Sequence, residues 1–405
     1  MARSVIALAN PKILQWARES ARMDRSMAAA RVYEPEERIK AWETGELNIT
    51  IAQLRKASTA YKRPLAIFFL SEIPSDFPPL HDYRKLPVEA QREFSSDLEF
   101  IVRRAREQQQ WAREILEELG AAPISFIASA SLEDDIVQLG QKIQELLSMQ
   151  IGKRPVRTHA NDTLRDWINA CENLGLFVLQ LGRRVDVAEM RGFSLLDSLA
   201  PFVVINRNDA RAARVFTLLH EFAHLLIGAD GISNENILYF DSRGEIGARE
   251  QRVEVFCNAL AAEVLVPGEH LRRKVSRSDV LRDIDATIES LRKHYAVSRE
   301  VIARRLVDTG FISRELYRKK RTQYIKEFKQ RKAEEEQAKK PFRPAKPAAE
   351  VIRTNGRAFT RLILDAYGEN ILTASDVSSL LNTKLKNLAS IEAEAFLGTP
   401  SRGVE

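Results

Sequence analysis

A chain of 405 residues with 44% hydrophobic content is too long for a single core, so two to four globular domains are expected. The net charge of +6 is the small remainder of 62 basic and 56 acidic residues and does not by itself indicate a nucleic-acid-binding protein. Cys171 and Cys257 lie far apart and outside any CxxC pair, which excludes a disulfide framework and a thiolate zinc site and points to a reducing, cytoplasmic compartment. No apolar run approaches a membrane span, and the apolar part of Met1–Asn10 is too short for a signal peptide.

Four short helices are predicted first: Ile13–Arg22, Ser26–Arg31, Pro35–Glu43 closed by Gly45, and Ile51–Tyr61. Several helices in under seventy residues read as a helix-turn-helix bundle. The run Ile39–Glu46, followed by Gln53-Leu54 and Tyr61–Leu70, resembles the XRE-type module of phage repressors. The helix that would enter the major groove opens with Glu34-Pro-Glu-Glu37, where carboxylates repel phosphate. The expectation for residues 1–73 is therefore a protein-docking or scaffold module, with DNA binding as the weaker alternative.

Pro74, Pro78, Pro79 and Pro87 mark an extended connector that contains His81-Asp-Tyr-Arg84. Amphipathic helices are predicted over Val88–Leu119 and Leu132–Leu147, interrupted by Gly120–Pro123, and another over Asp162–Asn173. The periodicity then changes: Leu176–Leu181, Gly192–Leu196 and Pro201–Asn206 read as strands, and Asp209 is placed as the N-cap of the next helix.

That helix contains His220-Glu221-Phe-Ala-His224. Residues four apart on a helix share a face, so both imidazoles can bind one divalent ion, for which zinc is suited. Glu221, beside them, is placed to take a proton from an attacking water and return it to a leaving amine. Leu218-Leu219 and Leu225-Leu226 would bury the helix and keep the site rigid and partly dry. A catalytic zinc requires a third protein ligand, for which Glu245, Glu250, Glu254, Glu263 and His270 are candidates; spacing does not separate Glu254 from Glu250. Tyr239 could stabilise an oxyanion but reads as packing, and Cys257 reads as a small core residue.

After His224 the pattern gives a polar loop to about Gly247 and a helix over Arg249–Leu265 stopped by Pro267. Two or three helices follow over Ser278–Leu306. Tyr317–Lys340 is intensely charged, an exposed helix or a tethered linker. Pro341–Pro347 breaks it, and helices are predicted over Ala358–Tyr367 and Thr373–Glu394.

Four blocks in order, Met190–Leu195, Pro201–Asn206, Phe216–Leu226 and Glu254–Pro267, resemble the ImmA/IrrE family of metallo-endopeptidases. The resemblance implies His220 and His224 as zinc ligands, Glu254 as the third, Glu221 as catalytic base and Asn258 in support. It also implies an XRE-like module ahead of the peptidase, and cleavage of a transcriptional repressor, itself of helix-turn-helix type, to derepress stress, phage or mobile-element genes. An extended peptide substrate is expected to add to the sheet edge near residues 192–205.

The fold expected is mainly α with a small β-sheet (α+β): a zincin-like metallopeptidase core, an N-terminal helix-turn-helix bundle and a C-terminal helical extension. The boundaries expected are 1–73 for the helix-turn-helix module, 74–157 for the connector and helical segment, 158–312 for the peptidase, 313–350 for the charged helix or linker and 351–405 for a small helical unit. The alternative function is a non-proteolytic, DNA-associated regulator or antitoxin-like partner with a structural or sensing zinc.

Overall fold

The computed structural model describes residues 5–21, 23–63, 65–74, 95–154, 160–181, 184–229, 231–233, 248–337 and 346–396. The described residues before position 80, with those of 95–104, make one compact unit, and those from Ala105 onward make another. No described helix is long and apolar enough to cross a membrane.

In the first unit the first, second and fourth helices start on side-chain caps. Asn10 accepts from the Lys12 amide at 3.0 Å ahead of α1 (Pro11–Ser20), and Asp24 accepts from the Met27 amide at 2.7 Å ahead of α2 (Arg25–Val32). α3 (Glu36–Thr44) ends at Gly45 with φ +78, and α4 (Ile51–Tyr61) opens on a capping box between Thr50 and Gln53. Ile13, Ile39, Trp42, Leu54 and Phe68 fill the core between them. A buried ion pair ties α1 to α3: the Arg18 guanidinium donates to both oxygens of Glu43, at 2.5 and 3.1 Å, and Arg25 adds a third contact at 2.9 Å. Glu34 is engaged by Arg38 and Gln53, whereas Glu36, Glu37, Arg38 and Lys40 of α3 are exposed.

In the second unit the helices α5 (Ser96–Glu118, from Ala105 on), α6 (Ile136–Leu146) and α7 (Ala160–Asn173) precede the sheet. Residues 132–135, expected within a helix, form a turn ending in Asp135, which caps α6 by accepting from Gln138. The strands are β1 (Phe177–Leu181), β2 (Gly192–Leu195) and β3 (Phe202–Asn206), followed by α8 (Arg211–Leu226) and β4 (Gly231–Ser233). The sheet order is β1-β3-β2-β4, with β1 and β3 parallel and the other pairs antiparallel. Val178, Val203 and Ile205 face the core shared with α7 and α8, while the rings of Phe177 and Phe202 pack tilted against each other, centroids 5.0 Å apart, on the opposite face. Burial on both faces explains why these strands read as continuous apolar runs.

This topology overturns the expected peptide-binding edge at residues 192–205. β2 and β3 are interior strands, each paired on both sides, because β4, inside the stretch read as a polar loop, folds back onto β2. Among the described residues the far side of β4 has no strand partner.

After β4 the helices are α9 (Ala248–Leu265), α10 (Gly268–Lys274), α11 (Arg277–Arg282), α12 (Ile284–Tyr295), α13 (Arg299–Asp308) and α14 (Arg314–Gln337). The charged segment is thus helical from its start, and Tyr317 and Tyr324 are buried in the same core as α13. α15 (Pro347–Asn355), α16 (Arg357–Gly368), α17 (Ala374–Leu380) and α18 (Leu388–Phe396) complete the unit. The stretch read as a break, Pro341–Pro347, falls between α14 and α15, and its residues 341–345 lie outside the described residues; its last residue, Pro347, opens α15 at a first-turn position, where its missing N–H costs nothing. The single helix expected over Thr373–Glu394 is divided by a 3-10 turn, Leu385–Asn387; its capped start is present, Thr373 and Asp376 forming a capping box.

The C-terminal helices lie against the sheet. Phe359 of α16 meets Phe177 and Phe202 edge-on at 6.1 and 5.8 Å, and Gln108 of α5 donates to Asn355 and to the Leu380 carbonyl. Gly356 sits so close to β1 that a Cβ would lie 2.6 Å from the Val178 carbonyl oxygen, and its φ of +76 favours glycine. Replacing it by alanine is expected to cost about 1–3 kcal/mol from backbone conformation alone, with the clash added. Urea denaturation of the Gly356→Ala chain measures this; an unchanged midpoint would contradict the packing described.

Glu172 of α7 caps α16 by accepting the N–H groups of Arg357 and Ala358. Burial pushes its pKa up to about 7, against the pull of those N–H groups and of Arg357 and Arg361. The folded-state value lies above the unfolded one, so the neutral acid is favoured and its contribution is fully present below the unfolded value, then lost as pH rises through 7. Thermal denaturation should show Glu172→Gln more stable than the parent at pH 8, with the advantage gone at pH 4.

Candidate metal centre

From Thr217 to Leu226 every side chain of α8 is buried, including His220, Glu221 and His224, at 0%, 0% and 1% exposure. A helix apolar around its whole circumference belongs in an interior, and here β2 and β3 lie on one side and α9 on another. Asp209, expected as the N-cap, lies one residue early: Ala210 takes that position, and Asp209 faces Arg191 at 3.4 Å.

His220 and His224 turn their Nε2 atoms toward each other, 3.1 Å apart, and toward Glu254 of α9. Glu254 Oε2 lies 3.4 Å from His220 Nε2, and Oε1 lies 3.0 Å from His224 Nε2. A tetrahedral ion with bonds of about 2.0–2.1 Å sets its donor atoms roughly 3.3 Å apart, so the three observed separations fit one zinc-type ion. Neither carboxylate oxygen of Glu254 makes a hydrogen bond of good geometry, although both are buried. Burial pushes the Glu254 carboxyl up, but the facing imidazoles outweigh it and hold it down to about 2. Two buried imidazoles and a buried carboxylate aimed at one point form a group that can bind a metal ion.

Glu221 lies on the same helix, on the side facing β2. A Cβ on Gly192 would stand 3.1 Å from Glu221 Oε1 and 2.5 Å from Thr217 Cγ2, so only glycine lets the strand close on the helix here. This contact escaped the sequence reading, whose only clue was a glycine opening a strand.

Of the other third-ligand candidates, Glu263 is committed elsewhere: it pairs with Arg305 in the interior, and its Oε1 accepts the Gly268 amide at 3.0 Å. His270 Nδ1 is hydrogen-bonded to the Tyr295 hydroxyl at 2.6 Å. Glu245, Tyr239 and the side chain of Glu250 lie outside the described residues. Asn258 is buried one turn after Glu254 and makes no hydrogen bond to the three converging side chains. The Cys257 thiol is buried, and burial together with Glu254 and Glu221 pushes its pKa well up, as suits a neutral core residue.

Residues 171–307 match the Peptidase_M78 family, described as the IrrE N-terminal-like domain. The match runs from the end of α7 through α13 and contains the whole converging group. The middle of the chain is therefore an IrrE-like metallopeptidase domain. Comparison with curated proteins and with solved structures gave no match.

Two outcomes test the site. Zinc should raise the melting temperature of the chelator-treated chain, a gain of about 2.7 kcal/mol at a hundredfold excess over Kd, and Glu254→Gln should lose most of it. Gly192→Ala should destabilise by about 1–3 kcal/mol through overpacking against Thr217, read by urea denaturation, and should weaken zinc binding measured by calorimetry.

Proposed function

We propose that residues 171–307 form a zinc-dependent endopeptidase, with His220, His224 and Glu254 as metal ligands and Glu221 as the general base. The observation that carries this reading is the juxtaposition of a buried Glu221 with three donors spaced for one ion. Bound there, zinc would supply Lewis-acid polarisation of a scissile carbonyl and acidify water.

The chain's own residues do the proton work. Glu221 takes a proton as water oxygen bonds to the carbonyl carbon, and delivers it to the amine nitrogen as the carbon–nitrogen bond breaks. The apolar residues around α8 keep bulk water away, so the carboxylate acts in a low-dielectric setting. Gly192 lets β2 approach Glu221 and Thr217, which positions the carboxylate through packing. The side of β4 that has no strand partner among the described residues is the rim proposed for an extended peptide, replacing the 192–205 edge.

The substrate proposed is a transcriptional repressor of helix-turn-helix type, cleaved to derepress stress, phage or mobile-element genes. Residues 1–73 serve in this reading as a docking module; the exposed Glu36 and Glu37 on α3 favour protein over DNA contact. Co-expression with the repressor encoded nearest to this chain should yield a fragment that disappears on chelation. Glu221→Gln should lower the cleavage rate by about 10²–10⁴-fold while binding zinc like the parent. Cleavage that persists in Glu221→Gln would sink the assignment of the base.

A further inference from the structure

A second recess, away from the metal group, lies where the IrrE-like domain meets the C-terminal helices. Its volume is about 920 Å³, within the usual range of ligand sites. Seven arginines and two glutamates line it. Arg207 follows β3, Arg211 and Arg214 stand in the first turn of α8, and Arg353, Arg357 and Arg361 come from α15 and α16.

The acidic side chains nearby offset only part of this charge. Glu350 pairs with Arg207 at 2.5 Å and Arg353 at 2.7 Å, and Asp162 pairs with Arg165 at 3.0 Å. Glu172 is engaged in capping α16. Arg357 donates to the carbonyls of Glu394 and Ala395 and Arg361 to that of Ala395; the Glu172 carboxyl acts on both, and Asp365 on Arg361 as well. Arg214 donates to Gln180 at 2.9 Å, while its buried Nε makes no hydrogen bond. Burial and the neighbouring Arg211, Arg207 and Arg353 pull the Arg214 pKa down despite Asp209, and burial and Arg357 pull that of Arg361 down despite Glu172 and Asp365. Guanidinium groups crowded into a part-buried recess repel one another unless an anion joins them, and their planar donor pairs match phosphate oxygens. Leu164, Ile168, Val178 and Ile352 add an apolar wall that a phosphate alone would not use.

We propose that this recess binds a phosphorylated small molecule of nucleotide size, its phosphate held by Arg211, Arg214 and Arg353 and its apolar body resting on Leu164, Ile168 and Ile352. An occupant would join α8, the helix that carries His220 and His224, to α15. The site is independent of the metal reading and of the proposed proteolysis.

The test uses the full chain in thermal-shift and calorimetric titrations at fixed ionic strength. The probes are inorganic phosphate, pyrophosphate, AMP, ATP, adenosine and a ten-residue oligothymidylate. Repeating the titrations on Glu254→Gln prevents chelation of metal by phosphates from being read as binding. At least one nucleotide should bind and raise the melting temperature, with adenosine inactive. Arg211→Gln and Arg214→Gln should each weaken that binding about tenfold, the equivalent of one lost charged contact. Arg273→Gln, which removes the same charge from the exposed face of α10, should not. Circular dichroism and the melting temperature without ligand report whether each variant folds, and Arg211→Lys serves if Arg211→Gln does not. The proposal is overturned if no phosphate compound binds at millimolar concentration, if adenosine binds as well as AMP, or if folded Arg211→Gln and Arg214→Gln bind like the parent. It is equally overturned if the oligonucleotide binds more tightly than every small probe, which would make the recess a nucleic-acid surface.

Discussion

Two imidazoles and a carboxylate converge where water is excluded, and the surrounding packing has to accommodate that convergence. Taking such groups from water is costly unless each finds a partner, and the largest available return is a divalent ion shared by all three. The arrangement needs α8 buried on every side, so the sheet must lie under it and α9 must cross it. Small residues on α9, among them Ala261 and Cys257, let the two helices meet closely enough for Glu254 to reach both histidines. Gly192 meets the corresponding demand from the strand side.

Much of this was legible in the sequence because it depends on short-range periodicity. The i, i+4 spacing of His220 and His224 places them on one face whatever the tertiary fold, and the apolar residues flanking them announce burial. Glu254 could not be separated from Glu250 by spacing, since both stand on one face of the same helix; the resemblance to a known family pointed to Glu254, and the structure brings that side chain to the histidines. Caps that use only local hydrogen bonds, such as Thr373 with Asp376, were also readable. Asp209 was not, because its side chain turns to Arg191, a partner distant in sequence.

What the sequence concealed depends on pairing between distant segments. A three-residue strand such as β4 has too little pattern to stand out from a polar loop, yet it closes the outer side of β2 and becomes the last strand on that side among the described residues. The break read at Pro341–Pro347 falls between α14 and α15, but that its last proline starts a helix was hidden, because proline ends helices more conspicuously than it begins them. The arginines of the second recess belong to α7, the β3–α8 junction and α15–α16, and only the docking of the C-terminal helices on β1 assembles them. The chain thus joins the helix of the two converging histidines, at its first turn, to a basic recess shared with its C-terminal helices.

The central claim is that His220, His224 and Glu254 bind one zinc ion, and X-ray absorption at the zinc edge of the purified chain tests it most directly. The account predicts one zinc per chain, with nitrogen and oxygen scatterers at about 2.0–2.1 Å, multiple-scattering features of two imidazoles, and no sulfur shell. A sulfur shell at about 2.3 Å, which would implicate a cysteine thiolate, or the absence of imidazole scattering, would contradict it.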